Sequence, residues 1–147
     1  VGLSNGMGFT PDKKKMYFTD FKKGEIYVFY YNVEDGSLNN QRLFLKVEEE
    51  GIEPDGLTVD AEGYVWSARW NGNCIKRFTP DGKEDLEVFF PAKKITCMTF
   101  AGEDYQDIYV TSAIGNKMQE EGEKAGALFR LKLGIQGLPE HLSRICF

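Results

Sequence analysis

The sequence predicts an all-β fold in which short antiparallel strands are grouped into three repeating blades, and three observations carry that prediction. Aromatic residues make up 14% of the chain and β-branched residues are frequent, a composition that suits half-buried pleated strands. Asn-Gly, Asp-Gly and Pro-Asp pairs punctuate the apolar runs, and pairs of this kind close hairpins. Two of them, Asn5-Gly6 and Asp55-Gly56, lie fifty residues apart and each opens a similar run. A period of roughly 40–50 residues is that of propeller blades.

The first copy places apolar runs at 8–12, 16–20 and 25–29, with a fourth strand at 41–47 beyond the turn Glu34-Asp35-Gly36. The second repeats the order with Gly56-Leu57-Thr58-Val59-Asp60, then 64–68 after the Glu62-Gly63 turn, then 74–78, and a fourth strand at 86–90 after Pro80-Asp81-Gly82. Four strands in about forty residues is the count of a blade. The third copy is looser, with runs at 96–100, 108–112 and 127–131 around an insertion from Ile114 to Gly126. Blade limits of about 1–50, 51–92 and 93–147 follow, each blade expected to hold about four strands.

Bulk properties narrow the function. With 41% hydrophobic residues in 147, the chain has the material for a core. The net charge of −5 argues against a nucleic-acid surface, which needs a basic face. Lys13-Lys14-Lys15 reads as a turn and Glu48-Glu49-Glu50 as a solvated connection. No apolar stretch reaches the ~18 residues of a membrane span, so no membrane partner is expected. The three cysteines, Cys74, Cys97 and Cys146, lack the number and spacing of a disulfide framework or a zinc ribbon. Reduced thiols and a cytoplasmic location are expected. Cys97 sits near the axis and could face it, a buried structural thiol being the better reading, and His141 lies outside the repeat.

Three blades cannot close a ring, since propellers use roughly four to eight. Another polypeptide, a second copy or further blades of a longer protein must cover the open sheet faces, which are otherwise exposed to unwanted pairing.

In a propeller the innermost strands line the central channel, so equivalent repeat positions converge on one axis. Asn5, Asp55 and Thr96 hold one such position. They offer an amide oxygen, a carboxylate and a hydroxyl, hard donors that suit calcium or magnesium. A hydroxyl is a poor ligand, and Thr96 is expected to line the cavity. Asn-Gly and Asp-Gly also form ordinary turns, and that reading stands beside the metal reading. Asp12, Asp20 and Asp60 fall at strand ends or turns and are expected to stabilise blades. Trp66 is expected in the core, and Trp70, beside Arg69, at a cavity rim.

The stretches Ser4-Asn5-Gly6-Met7, Pro54-Asp55-Gly56-Leu57-Thr58-Val59-Asp60-Ala61-Glu62-Gly63 and Trp66-Ser67-Ala68-Arg69-Trp70-Asn71-Gly72 together resemble the gluconolactonase, luciferin-regenerating and regucalcin-like family. The resemblance spans nearly the whole chain. It implies a six-bladed propeller of which this chain is the carboxyl-terminal half. It further implies a divalent cation on the axis, usually calcium, with zinc, magnesium or manganese able to serve. The family's Asn and Asp ligands map onto Asn5 and Asp55, whereas its Glu ligand and sugar-holding residues belong to blades absent from this chain.

The reaction this implies is hydrolysis of a sugar lactone, with Asp55 as ligand and general base, Asn5 as ligand only, and Thr96, Trp70 and Arg69 as candidates for the substrate cavity. The isolated chain is expected to show little activity. The competing reading is a non-enzymatic calcium-binding or protein-interaction propeller, because a fold by itself does not specify a function.

Overall fold

In the computed structural model, which describes residues 1–115 and 120–140, the chain folds into three antiparallel sheets. Blade 1 holds β1 (Ser4–Phe9), β2 (Lys15–Asp20), β3 (Glu25–Tyr31) and β4 (Leu38–Lys46). Blade 2 holds β5 (Glu53–Val59), β6 (Val65–Trp70), β7 (Cys74–Phe78) and β8 (Glu84–Phe89). Blade 3 holds β9 (Lys94–Ala101), β10 (Asp107–Ala113) and β11 (Leu128–Lys132). Each sheet is a meander in which consecutive strands pair.

Blade 3 has three strands among the described residues, where four are expected. Beyond β11 the chain leaves the sheet and straps blades 2 and 3 together. Gly137 bridges Asp60, its N–H donates to the Tyr105 carbonyl at 2.8 Å, and the Ala61 N–H donates to the Gln136 carbonyl at 2.9 Å. His141 and Cys146 lie outside the described residues.

Strand alternation divides each sheet into two faces, and directly paired residues share one. In blade 1, Tyr17 pairs with Val28 and Ile26 with Leu45. These residues pack against Leu57, Val59 and Val65 of blade 2 to form the first seam. The opposite face of blade 2 presents Trp66, Ala68 and Ile75 to Met98, Phe100, Ile108 and Val110 of blade 3. The Trp66 and Phe100 rings meet edge to face at 5.7 Å. Trp66 is fully buried, as expected.

The aspartates at turns stabilise blades. Asp12 accepts from Thr10 Oγ1 and the Lys14 N–H, and fully buried Asp20 accepts from the N–H groups of Gly2 and Leu3. Asp60, also fully buried, accepts from the N–H groups of Glu62 and Tyr64 at 3.0 Å, from Trp66 Nε1 at 2.9 Å and from Arg77 Nε at 2.8 Å. Arg77 continues to Asp85 at 2.7 Å and Glu62 at 2.5 Å and lies over the Tyr64 ring. Burial opposes the charge of Arg77, yet its bonds to Asp85, Asp60 and Glu62 raise its pKa further. Removing one partner of such a network leaves a buried charge uncompensated, so Asp60→Ala is expected to cost about 3 kcal/mol, measured by urea unfolding of the variant against the parent chain.

Candidate functional site

The three innermost strands share one irregularity. In β1, Ser4 pairs with Asp20 and Met7 with Phe18, so the Asn5-Gly6 stretch carries one residue more than its partner strand. In β5, Pro54 pairs with Arg69 and Leu57 with Ser67, which places the same extra residue in Asp55-Gly56. In β9, Ile95 pairs with Ser112 and Cys97 with Thr111, leaving Thr96 unopposed. A bulge of this kind bends the strand and re-aims a side chain. The repeat equivalence of Asn5, Asp55 and Thr96 is therefore an equivalence of bulges.

Two of these bulges carry glycine for a steric reason. A Cβ on Gly6 would lie 2.3 Å from the Leu57 nitrogen and 2.7 Å from the Asp55 carbonyl oxygen. One on Gly56 would lie 2.6 Å from both the Thr96 carbonyl oxygen and the Cys97 sulfur. Neighbouring inner strands thus touch backbone to backbone, which only glycine permits. That contact brings the side chain of Asn5 in blade 1 toward Asp55 in blade 2, where its amide favours the ionised carboxylate. A carboxylate only accepts, so the Asn5 amide nitrogen donates and its carbonyl oxygen stays available.

Asp55 is 7% exposed. Burial pushes its carboxyl pKa up to about 6, and the Asn5 bond offsets only part of that rise. A buried carboxylate with a single amide partner is under-compensated in its ionised form, the state that a cation relieves. Together Asn5 and Asp55 carry two hard oxygen atoms, the donor type that calcium or magnesium prefers. Among the described residues no group of three or more His, Cys, Asp or Glu side chains gathers around them or elsewhere.

The other candidates are placed differently. Thr96 Oγ1 lies 2.7 Å from Thr111 Oγ1 within its own blade. Trp70 is half-buried at the same end of the inner strands, with the Phe21 ring 6.1 Å away and the Lys94 ammonium 5.1 Å from its ring centre. Arg69 does not share that surface. It is 3% exposed, donates to Ser67 Oγ at 2.7 Å and lies over the Phe78 ring, and burial lowers its pKa to about 10. Adjacent residues of a strand face opposite sides, so Trp70 and Arg69 cannot both line one cavity. Cys97, expected to be buried, is exposed, with its sulfur toward Gly56 of blade 2. Burial accounts for the other thiol, Cys74, whose pKa rises to about 12.

Sequence reading missed two residues at this end of the fold. Lys94 Nζ contacts Glu121 Oε1 at 2.5 Å, and the Glu121 side chain is 8% exposed. Glu121 comes from the insertion that interrupts the third repeat, where no periodicity marks it.

A model of the SMP-30/gluconolactonase/LRE-like region matches residues 1–114. The chain belongs to that family. It is 38% identical to pentonolactonase XacC of Haloferax volcanii, across 99% of this chain and 52% of that protein. Zebrafish (Danio rerio) regucalcin is 36% identical, across 96% of this chain and 50% of the relative. The crystal structure of a calcium-binding protein, regucalcin, from Agrobacterium tumefaciens superposes with a TM-score of 0.89 at 28% identity, covering 97% of this chain and 50% of that one. The chain thus spans about half the length of the relatives it matches and forms half of a six-bladed propeller.

The raised pKa of Asp55 makes the stability of this family member depend on pH. The folded chain holds that proton to about pH 6, whereas the unfolded chain releases it near the ordinary carboxyl value of 3.8. Stability falls as pH rises wherever the folded state binds more protons, so the Asp55 contribution is present below about pH 4 and lost by about pH 6. Without added metal, Asp55→Asn is expected to melt a few degrees above the parent at pH 7 and level with it at pH 4, followed by thermal denaturation at both values.

Proposed function

We propose that the ring-complete protein hydrolyses a sugar lactone with the help of a divalent cation, and that this chain is its carboxyl-terminal half and supplies two of the ligands. The observation that carries this reading is the pairing of Asn5 with buried Asp55 across a seam between two blades. The Haloferax relative is named a pentonolactonase, which supports the substrate class, and Agrobacterium regucalcin is described as a calcium-binding protein, which supports the cation.

In this mechanism the Asp55 carboxylate and the Asn5 carbonyl oxygen would hold the cation, and a further ligand would come from blades outside this chain. A cation in such a site supplies Lewis acidity toward the lactone carbonyl and acidifies water near it. Asp55 takes the proton of the attacking water as general base. Asn5 cannot act as a base. Its donated N–H orients Asp55 and favours the ionised form. Thr96 and Trp70 border the mouth through which the lactone enters. The free thiols Cys74 and Cys97 suit a reducing cytoplasm.

A second reading, a calcium-binding propeller without catalysis, draws on the same Agrobacterium relative. Chelation separates the two. In the ring-complete protein, Asp55→Ala and EDTA treatment are each expected to lower lactone hydrolysis at least ~100-fold, and unchanged turnover in both would leave only the binding reading. Asn5→Ala is expected to weaken calcium binding in isothermal titration by roughly tenfold or more, the loss of one neutral ligand. The 147-residue chain alone, with two ligands, is expected to show no turnover above the buffer rate in the same assay.

A further inference from the structure

A second tier of equivalent positions lies above Asn5, Asp55 and Thr96, and its side chains suit a hydroxylated ring. The Phe21 N–H donates to the Leu3 carbonyl at 2.9 Å, Glu53 pairs with Trp70, and Lys94 pairs with Ala113. Leu3, Glu53 and Lys94 therefore precede Asn5, Asp55 and Thr96 by two residues each, roughly 6–7 Å along the strand. Trp70 is the centre of this tier. Its ring reaches Phe21 of blade 1 at 6.1 Å and the Lys94 ammonium of blade 3 at 5.1 Å. A side chain of blade 2 that meets the blades on both sides lies where all three converge, close to the axis.

Lys94 is held by Glu121, whose Oε1 lies 2.5 Å from Nζ. The insertion does not need this pair for its anchorage. The Lys93 N–H already donates to the Glu121 carbonyl at 2.7 Å, and the Lys124 N–H to the Pro91 carbonyl at 2.9 Å. Room for the pair is left by Gly115, where a Cβ would collide with both Lys94 Nζ and Glu121 Oε1. Glu53 Oε2 and Glu121 Oε2 are buried with no hydrogen-bond partner among the described residues, and such atoms are rare enough in folded proteins to call for a function. An ammonium carries three donors and the Lys94 side chain is 16% exposed, so donors beyond the one given to Glu121 can serve a ligand. The ion pair is neutral as a whole, which suits a hydroxyl rather than an anion.

Resting on the lactone reading above, we infer that Trp70 and Lys94 form a subsite for the hydroxyl-bearing part of the sugar ring. The Trp70 ring lies against the C–H face of the lactone, and Lys94 donates to a ring hydroxyl. Glu121 is a positioning residue that sets the ammonium beside the indole. The two-residue offset along the strands separates this subsite from Asp55 by about the span of a sugar ring, so a lactone held here by its hydroxyls can reach the carboxylate with its carbonyl.

Kinetics of the ring-complete protein on a pentonolactone and on γ-butyrolactone, a lactone ring without hydroxyls, test this. The double variant Lys94→Met/Glu121→Met removes the pair without leaving a buried charge, and Gly115→Ala displaces it while keeping both charges. Each is expected to raise KM for the pentonolactone at least ~10-fold with kcat within about twofold, the mark of lost uniform binding. Hydrolysis of γ-butyrolactone should stay at the parent rate. An unchanged KM for the pentonolactone would overturn the inference, as would a loss shared equally by both substrates, the result expected of a purely structural pair. Binding is read separately after EDTA treatment, as quenching of Trp70 fluorescence by the pentonolactone, measured against Trp70→Phe. Binding weakened in these variants of a protein that shows no turnover supports the subsite and sinks only the lactonase reading. Turnover with unaltered KM sinks only the subsite, and a parent that neither binds nor hydrolyses the pentonolactone overturns both.

Discussion

Close contact between inner strands is the constraint on which the rest of this half-propeller depends. Gly6 and Gly56 leave no room for a Cβ, so each inner strand lies with its backbone against the next. The same contact sets the seams. Once β1 meets β5 and β5 meets β9, Leu57, Val59 and Val65 are driven into the face of blade 1, and Met98 and Phe100 into the face of blade 2. Burial of these apolar groups supplies the driving force, and the glycines determine how near the axis it can act.

The candidate site is a by-product of that packing. A bulge adds one residue to each inner strand and alters the side-chain alternation just where the blades converge. Asn5 and Asp55 meet because two such bulges abut, and Asp55 is buried because the seam closes around it. Its burial makes the ionised form unfavourable, the condition on which the proposed cation and proton transfer rest. The stabilising apolar seam and the strained charge share the same few residues.

Polar groups buried elsewhere are satisfied more fully. Asp60 receives four donors and Arg77 three acidic partners, an arrangement that ties the Asp-Ala-Glu-Gly turn to β7 and β8. Asp60 and Asp55 are five residues apart, and both sit in a seam-facing part of blade 2. The difference in partners sets Asp60, a structural carboxylate, apart from Asp55, because an ion that is fully hydrogen-bonded has little left to offer a ligand.

From the sequence alone came the strand class, the three-fold repeat and the equivalence of Asn5, Asp55 and Thr96, because turn pairs and alternation are local and periodic. Trp66 in the core and the aspartates at turns were legible for the same reason. Tertiary structure decided the rest. It buried Arg69 and left Trp70 half-exposed because alternation along β6 sends neighbours to opposite faces, and it exposed Cys97 beside the bulge in β9. It joined Lys94 to Glu121 across an insertion that carries no repeat signal. The pKa of Asp55 was likewise invisible in the chain, since desolvation depends on which blade closes over a residue and not on its neighbours in sequence.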